Sequence, residues 1–329
     1  MDRTKFTAAI IVLVIILAGA LFLFQPRSER ITLSINPFPL SALIFIAEEK
    51  GYFAEEGLEI EYANFQTGKA ALDASLAGGS ELATTADIPI MLAGLNDLEF
   101  KVIATIASSE KNIRVVARKD SGISEPSDLR GKKIATTSGG GPLFFTHKFL
   151  ERHQIALDEV SLTHMNPSDM ILAIVRGDID AIIIFGPHHL KAEEELGNNA
   201  IVFSPDGLYG ESWNLVVSND FAEKNPEKVK AFLRALLKAE RFAKENKEEA
   251  IRITAEYSNV EESIFDGYWE LLNFDIVLRQ SLLDTLSDEA EWAIEQGITD
   301  KKTIPDYSQL IDGSFLSELK PGSVAPEGV

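Results

Sequence analysis

Lys132-Lys133-Ile134-Ala135-Thr136-Thr137-Ser138-Gly139-Gly140-Gly141-Pro142-Leu143-Phe144-Phe145 reads as a short strand, a glycine turn and the start of a helix. Ile134 to Thr137 is small, apolar and β-branched, as a buried strand prefers. Three consecutive glycines let the backbone take positive φ and bring its N–H groups close to a ligand. Pro142 suits the opening of a helix, where its missing N–H costs nothing. A helix starting there points its free N–H groups and positive dipole end above the glycines. A plain tight strand-to-helix turn would carry the same residues, so the other turns of the chain must decide.

Upstream, the same unit recurs. Ile31 to Ile35 reads as a strand, Asn36-Pro37-Phe38-Pro39 as a turn, and Ser41 to Lys50 as a helix closed by Gly51. Strands are expected at Leu58 to Tyr62, Leu82 to Thr85 and Lys101 to Ile106. Between them Gln66-Thr67-Gly68 turns into a helix over Lys69 to Ala77, and Ala86-Asp87-Ile88-Pro89 into a short one ending at Leu95. Downstream, Val160 to Arg176 turns at Asn166-Pro167-Ser168, with Ser168 as the expected helix cap. Asp180 to Leu196 turns at Phe185-Gly186-Pro187-His188. This alternation implies βαβ units and mostly parallel sheets.

Ile113 to Arg118 and Trp213 to Val217 are strand-like runs about a hundred residues apart. They read as crossing points around an inserted lobe, 114–213, with 31–113 and 214–329 forming the other lobe. A chain of 329 residues makes two lobes the natural expectation. The remainder reads as helical. Asn225 and Pro226 open a helix striped by Val229, Phe232, Leu233, Leu236 and Leu237, and further helices are expected over Lys247 to Tyr257, Glu261 to Arg279 and Ser287 to Gln296. The Gly/Pro tail from Pro321 is expected to stay loose.

The ends of the strands gather the candidate binding residues. These are Asn36, Pro37, Phe38, Thr67, Gly68, Asp87, Ser138, Gly139, Gly140, Gly141, Asn166, Phe185 and His188, with Glu211 and Trp213 at the second crossing. Short polar groups beside flat apolar walls make the mix of a small-molecule pocket. Asn36, Asp87 and Asn166 read equally well as turn residues bonding their own backbone. Asp87 and Glu211 are candidate acceptors for ring amino groups, and Ser138 to Gly141 is the candidate anion cradle.

Other chemistries are disfavoured. The net charge is −20, and residues 1–24 carry +1 (Asp2, Arg3, Lys5), so the rest carries −21. So acidic a body argues against nucleic acid. No cysteine is present, which removes disulfides, thiolate metal sites and a cysteine nucleophile. Gly68-Lys69 lacks the flanking residues of a P-loop, the glycine turn lacks the dinucleotide fingerprint, and no Gly-x-Ser-x-Gly elbow occurs. His188 and His189 would point about 100° apart on a helix, against joint metal ligation. No catalytic residue, metal or cofactor is expected.

Arg3 and Lys5 precede Phe6 to Phe24, nineteen residues without a charge. That span suffices to cross a bilayer, and basic residues ahead of it send the body outward. Residues 1–27 are read as an uncleaved anchor in preference to a removed signal peptide, with the body periplasmic or on the cell surface.

Gly51-Tyr52-Phe53-Ala54-Glu55-Glu56-Gly57-Leu58-Glu59-Ile60 resembles a signature of periplasmic solute-binding proteins for nitrate, sulfonates, taurine and thiamine pyrimidines. Arg118 to Ile123 with Asp128 to Ile134, Arg176-Gly177-Asp178-Ile179-Asp180-Ala181, and Val217 to Phe221 with Asn225-Pro226 are similar to further parts of that family's pattern. The resemblance covers residues 31 to about 280. It implies a type II two-lobed α/β fold that closes on a small solute and delivers it to the permease and ATPase subunits of an ABC importer. Phe185-Gly186-Pro187 departs from the Trp/Glu-Pro commonly found there. A membrane-anchored sensor or assembly protein on the same fold is the alternative. A pyrimidine-synthase-like enzyme is disfavoured, because the cysteine-rich motif of those enzymes cannot exist here.

Overall fold

The computed structural model describes residues 29–204 and 207–325. The expected membrane anchor therefore lies outside the described residues. Among those described, no helix is long and apolar enough to cross a membrane.

Strands β1 (Glu29–Ile35), β2 (Leu58–Asn64), β3 (Leu82–Ala86), β4 (Lys101–Ser109) and β10 (Glu211–Val217) form one sheet in the order β2-β1-β3-β10-β4. Strands β5 (Ile113–Arg118), β6 (Lys133–Thr136), β7 (Ser161–His164), β8 (Ala181–Phe185) and β9 (Ala200–Phe203) form a second in the order β7-β6-β8-β5-β9. The chain passes from the first sheet to the second between β4 and β5 and returns between β9 and β10.

Each sheet is mostly parallel, with four of its five strands in one direction and one strand reversed. β1 is parallel to β2 and β3, but β10 is antiparallel to β3 and β4. Likewise β6 is parallel to β7 and β8, but β5 is antiparallel to β8 and β9. The physical reason is the double crossing. The strand that enters each sheet from the other starts at the end where its neighbours finish, so it runs against them.

The central strands are apolar because helices cover them. Ile182, Ile183 and Ile184 of β8 are fully buried, as is every residue of β3. Helix α1 (Ala42–Glu49) packs against α9 (Pro226–Glu245) and α10 (Lys247–Ser258). Val229, Phe232, Leu233 and Leu236 of α9 supply the buried stripe. Gly51 takes φ +71 immediately after α1, the left-handed residue that stops a helix. Between these lie α2 (Tyr52–Glu55), α3 (Gly68–Leu76), α4 (Asp87–Leu95), α5 (Gly141–Arg152), α6 (Pro167–Arg176), α7 (His188–Leu196) and α8 (Asn219–Lys224).

Four local expectations are corrected. Asn166, not Ser168, is the residue flanking α6, because Pro167 takes the opening position. Glu261 to Arg279 is not one helix: α11 covers Glu262–Trp269, and the chain then runs extended along β4. There Asn273 pairs with Ser108 and Val277 with Thr105, which covers the edge of the first sheet. Helix α12 begins earlier than its pattern suggested, spanning Gln280–Glu295, and α13 covers Ser314–Leu319. The tail is tied down as far as Ala325, whose N–H bonds the Leu278 carbonyl at 2.8 Å.

Candidate functional site

The turns after β1 and β8 and the start of β10 bring four rings into one line. His188 lies 5.3 Å from Phe185, Phe185 5.5 Å from Phe38, and Phe38 5.8 Å from Trp213, centroid to centroid. Phe38 follows the first sheet and Phe185 ends a strand of the second, so the line spans the cleft between them. Trp213 is held in place by its Nε1–H, which donates to Ser41 Oγ at 2.9 Å. Gly68 completes that wall. A Cβ there would lie 2.8 Å from Trp213 Cη2 and 3.1 Å from the Thr85 backbone, so only glycine fits this close approach.

The glycine turn begins exposed at Ser138 and Gly139 and ends at Gly141, which is buried against the crossing segments. Gly140 has φ +74, as three glycines allow. Gly141 opens α5 with no room for a side chain: a Cβ would meet Ile113 at 2.8 Å, Tyr209 at 3.1 Å and Glu211 Oε1 at 3.3 Å. Among the described residues no acceptor takes the backbone N–H of Ser138, Gly139 or Gly140. Phe144, one turn into α5, packs edge-on against both Tyr209 and Trp292 of α12.

Beside the turn sits a buried carboxyl group of three. Asp87 is fully buried and accepts from Ile88 N at 2.9 Å, from Tyr209 Oη, and from Ser212 N and Oγ at 2.8 and 3.1 Å. Its oxygens are therefore consumed by the fold, and the expectation that Asp87 accepts from a ligand is corrected. Burial raises the Asp87 carboxyl, although bonds from Tyr209 and Ser212 work the other way. Glu289 of α12 is fully buried, and neither of its carboxyl oxygens meets a hydrogen-bond partner. Burial first, and then the Asp87 charge, hold its carboxyl well above the usual range. Glu211 is pushed up to about 8 by burial and the Asp87 charge, against a bond from Asn112 Nδ2.

Asn112 also ties the second sheet to this group. Its carbonyl accepts from Gly186 N at 2.8 Å, and Tyr268 of α11 donates to its Oδ1 at 2.5 Å. A Cβ at Gly186 would sit 2.2 Å from the Tyr268 ring.

The remaining sequence candidates are placed elsewhere. Asn36 ties its turn to the one after β2, donating to the Phe65 carbonyl at 2.9 Å, and Pro37 is exposed. Thr67 caps α3 through Ala70 N. Asn166 joins Ser138 in a hollow of about 530 Å³ running along α6, away from the aromatic line. His188 faces Phe185, whereas His189 is buried against Glu193, at 3.2 Å, so the two do diverge. No group of His, Asp or Glu among the described residues could hold a metal ion.

Sequence reading missed Asn112, Tyr209, Ser212, Tyr268 and Glu289. Of these only Glu289 left a signal, as an acid on the stripe of Leu282, Leu286, Ala290 and Ala293, the buried face of α12. The others lie on crossing segments or a short helix, where no periodicity marks them.

Comparisons with known proteins agree with this layout. The family model described as NMT1/THI5 like matches residues 39–250. The taurine-binding periplasmic protein of Escherichia coli K12 is 26% identical over 316 residues, covering 91% of this chain and 96% of that protein. The crystal structure of the periplasmic aliphatic sulphonate binding protein SsuA from Escherichia coli superposes with a TM-score of 0.77 at 19% identity, covering 86% of this chain and 92% of that one. The periplasmic nitrate-binding protein NrtA of Synechocystis PCC 6803 gives 0.69 at 16% identity, covering 89% and 88%.

Proposed function

The chain belongs to the NMT1/THI5-like family, and from that premise we propose that it is the extracytoplasmic solute-binding component of an ABC importer. The observation that carries the reading is coverage: a taurine-binding relative matches 91% of the chain, spanning both sheets and the cleft between them. The solute is a small anion of the sulfonate, nitrate or taurine kind. The open N–H groups of Ser138 to Gly140 supply its donors, and Phe38, Phe185 and Trp213 enclose its apolar part. The aromatic line favours a second reading, a thiamine-pyrimidine-like heterocycle stacked between rings.

Residues 114–213 form the lobe that swings, and the crossings at 110–112 and 207–210 are the hinge. Residues 6–24 anchor the protein in the cytoplasmic membrane with the body outside, where it meets permease and ATPase subunits. The protein binds and releases its solute unchanged. A thermal-shift and calorimetry panel of sulfonates, nitrate, taurine and pyrimidines tests the reading. A ligand at ~100 times Kd should add about 2.7 kcal/mol to stability. Protease added outside spheroplasts should digest the body. Turnover of any of these solutes, or binding to none of them, would refute the proposal.

A further inference from the structure

The cleft offers an anion cradle with no cation in it. Lys69, the basic residue beside the turn at Gly68, points to solvent and pairs with Asp73 at 2.6 Å. The group that does face the glycine turn is Glu211. It is 7% exposed; its Oε2 accepts from Asn112, and no donor among the described residues meets its Oε1. That free oxygen stands 3.3 Å from where a Cβ on Gly141 would be, at the mouth of the twelve-residue helix α5.

The groups around Glu211 leave it no partner for a negative charge. Asp87 at the start of α4 and Glu289 on α12 are acidic, and Tyr209 and Tyr268 are neutral phenols. Ser109 of β4 and Asn112 of the crossing are neutral. Arg114 on β5 pairs instead with Glu193 at 3.7 Å, and Glu110 and Lys111 are exposed. A buried carboxyl beside another carboxylate and facing no cation keeps its proton. Its value of about 8 agrees.

Resting on the reading of this chain as an anion receptor, we propose that neutral Glu211 donates its Oε1–H to the bound anion, beside the N–H groups of Ser138 to Gly140, so that solute binding requires a proton on Glu211. The proton stays on Glu211 throughout. The neutral Glu211 carboxyl stands in as donor where a cation is missing, and a charged Glu211 repels the anion.

The sign of the pH dependence tests this. Methanesulfonate, ethanesulfonate and nitrate keep their charge from about pH 6 to 9.5, so any slope belongs to the protein. Calorimetry of the full chain in detergent should show constant affinity up to about pH 8, then a loss approaching tenfold per pH unit. In buffers of different ionisation enthalpy, binding at about pH 9 should take up close to one proton. Glu211→Gln keeps a donor but cannot ionise. It should bind within about threefold of the unmodified chain and without the slope, while Glu211→Ala should lose at least about tenfold at pH 7. Affinity that stays flat to about pH 9.5, or binding without proton uptake, would overturn the role of Glu211 while leaving the receptor reading intact. Affinity that rises with pH would assign Glu211 to an ammonium group instead. No binding of these anions at any pH would overturn both readings.

Discussion

Phe38 and Phe185 meet in a T-shaped pair at 5.5 Å and 89°, one ring from each side of the cleft. Such an edge-to-face pair contributes about 0.5–1.5 kcal/mol beyond its buried area. It thus links enclosure of a solute to the approach of the two sheets. Both rings are half-buried at the rim of the cleft, so their loss should spare the core. Phe185→Ala should weaken solute binding by roughly three- to tenfold. Small-angle scattering should then show a larger radius for the variant at equal ligand concentration. An unchanged radius and affinity would remove this contact from closure.

Gly68→Ala should destabilise the protein by about 1–3 kcal/mol, since the new methyl enters a packed wall. The backbone at Gly68 lies outside the left-handed region, so the cost comes from Trp213 and Thr85 alone. Trp213 would have to leave the Ser41 hydroxyl, which should shift tryptophan fluorescence along with the unfolding midpoint. A variant as stable as the parent, with unaltered emission, would show that the wall yields freely.

The sequence displayed the units of this fold better than the way they join. Alternation of apolar runs such as Ile31 to Ile35 and Ala181 to Phe185 with helix stripes such as Val229, Phe232 and Leu236 follows directly from burial. Strand direction depends on where the chain re-enters a sheet, which no local pattern records, so β5 and β10 were not recognised as antiparallel. The candidate site divides along the same line. Phe38, Phe185, Gly68 and Trp213 meet in the cleft because each lies at a turn after a strand or at the crossing. Asp87 lies there too, but its oxygens are taken by Tyr209 and Ser212 from a segment 122–125 residues away. A partner that distant in the chain leaves no trace around Asp87 itself. Thr67 spends its side chain on its own helix start, and Asn36 spends its on the Phe65 carbonyl after the neighbouring strand, a partner that its own turn does not reveal.

The three buried carboxyls make stability depend on pH with a definite sign. Burial raises Asp87, Glu211 and Glu289 in the folded state. The folded protein therefore holds protons that the unfolded chain releases above the ordinary carboxyl range. Their contribution is fully present below that range and is lost as pH rises, through about 8 for Glu211. Each pH unit inside the window removes up to about 1.4 kcal/mol per group. Glu289→Gln keeps the shape of the side chain and cannot ionise, so denaturant unfolding between about pH 5 and 9 should show a shallower decline than the parent. An equal slope would mean that Glu289 is not one of the proton carriers.

Gly140 separates a ligand cradle from a mere turn. Its φ of +74 and ψ of −170 lie in a region open essentially to glycine alone. Any side chain there therefore costs about 1–3 kcal/mol of stability, whatever its charge. Room is not the difficulty, because a Cβ would come no closer than 3.9 Å to Pro142 Cδ. Gly140→Ala thus reports strain alone, and Gly140→Asp adds a carboxylate beside the unpaired N–H groups of the turn. Two like charges 4 Å apart repel by ~4 kcal/mol at an effective dielectric of 20. If the solute's anionic end rests on this turn, the aspartate variant should bind at least about tenfold more weakly than the alanine variant, or ~1.4 kcal/mol. The two should nonetheless match in helical signal and unfolding midpoint. Raising salt should narrow the gap, since screening acts on the charge term and not on strain. Equal affinities in two folded variants would take the glycine turn out of the binding site.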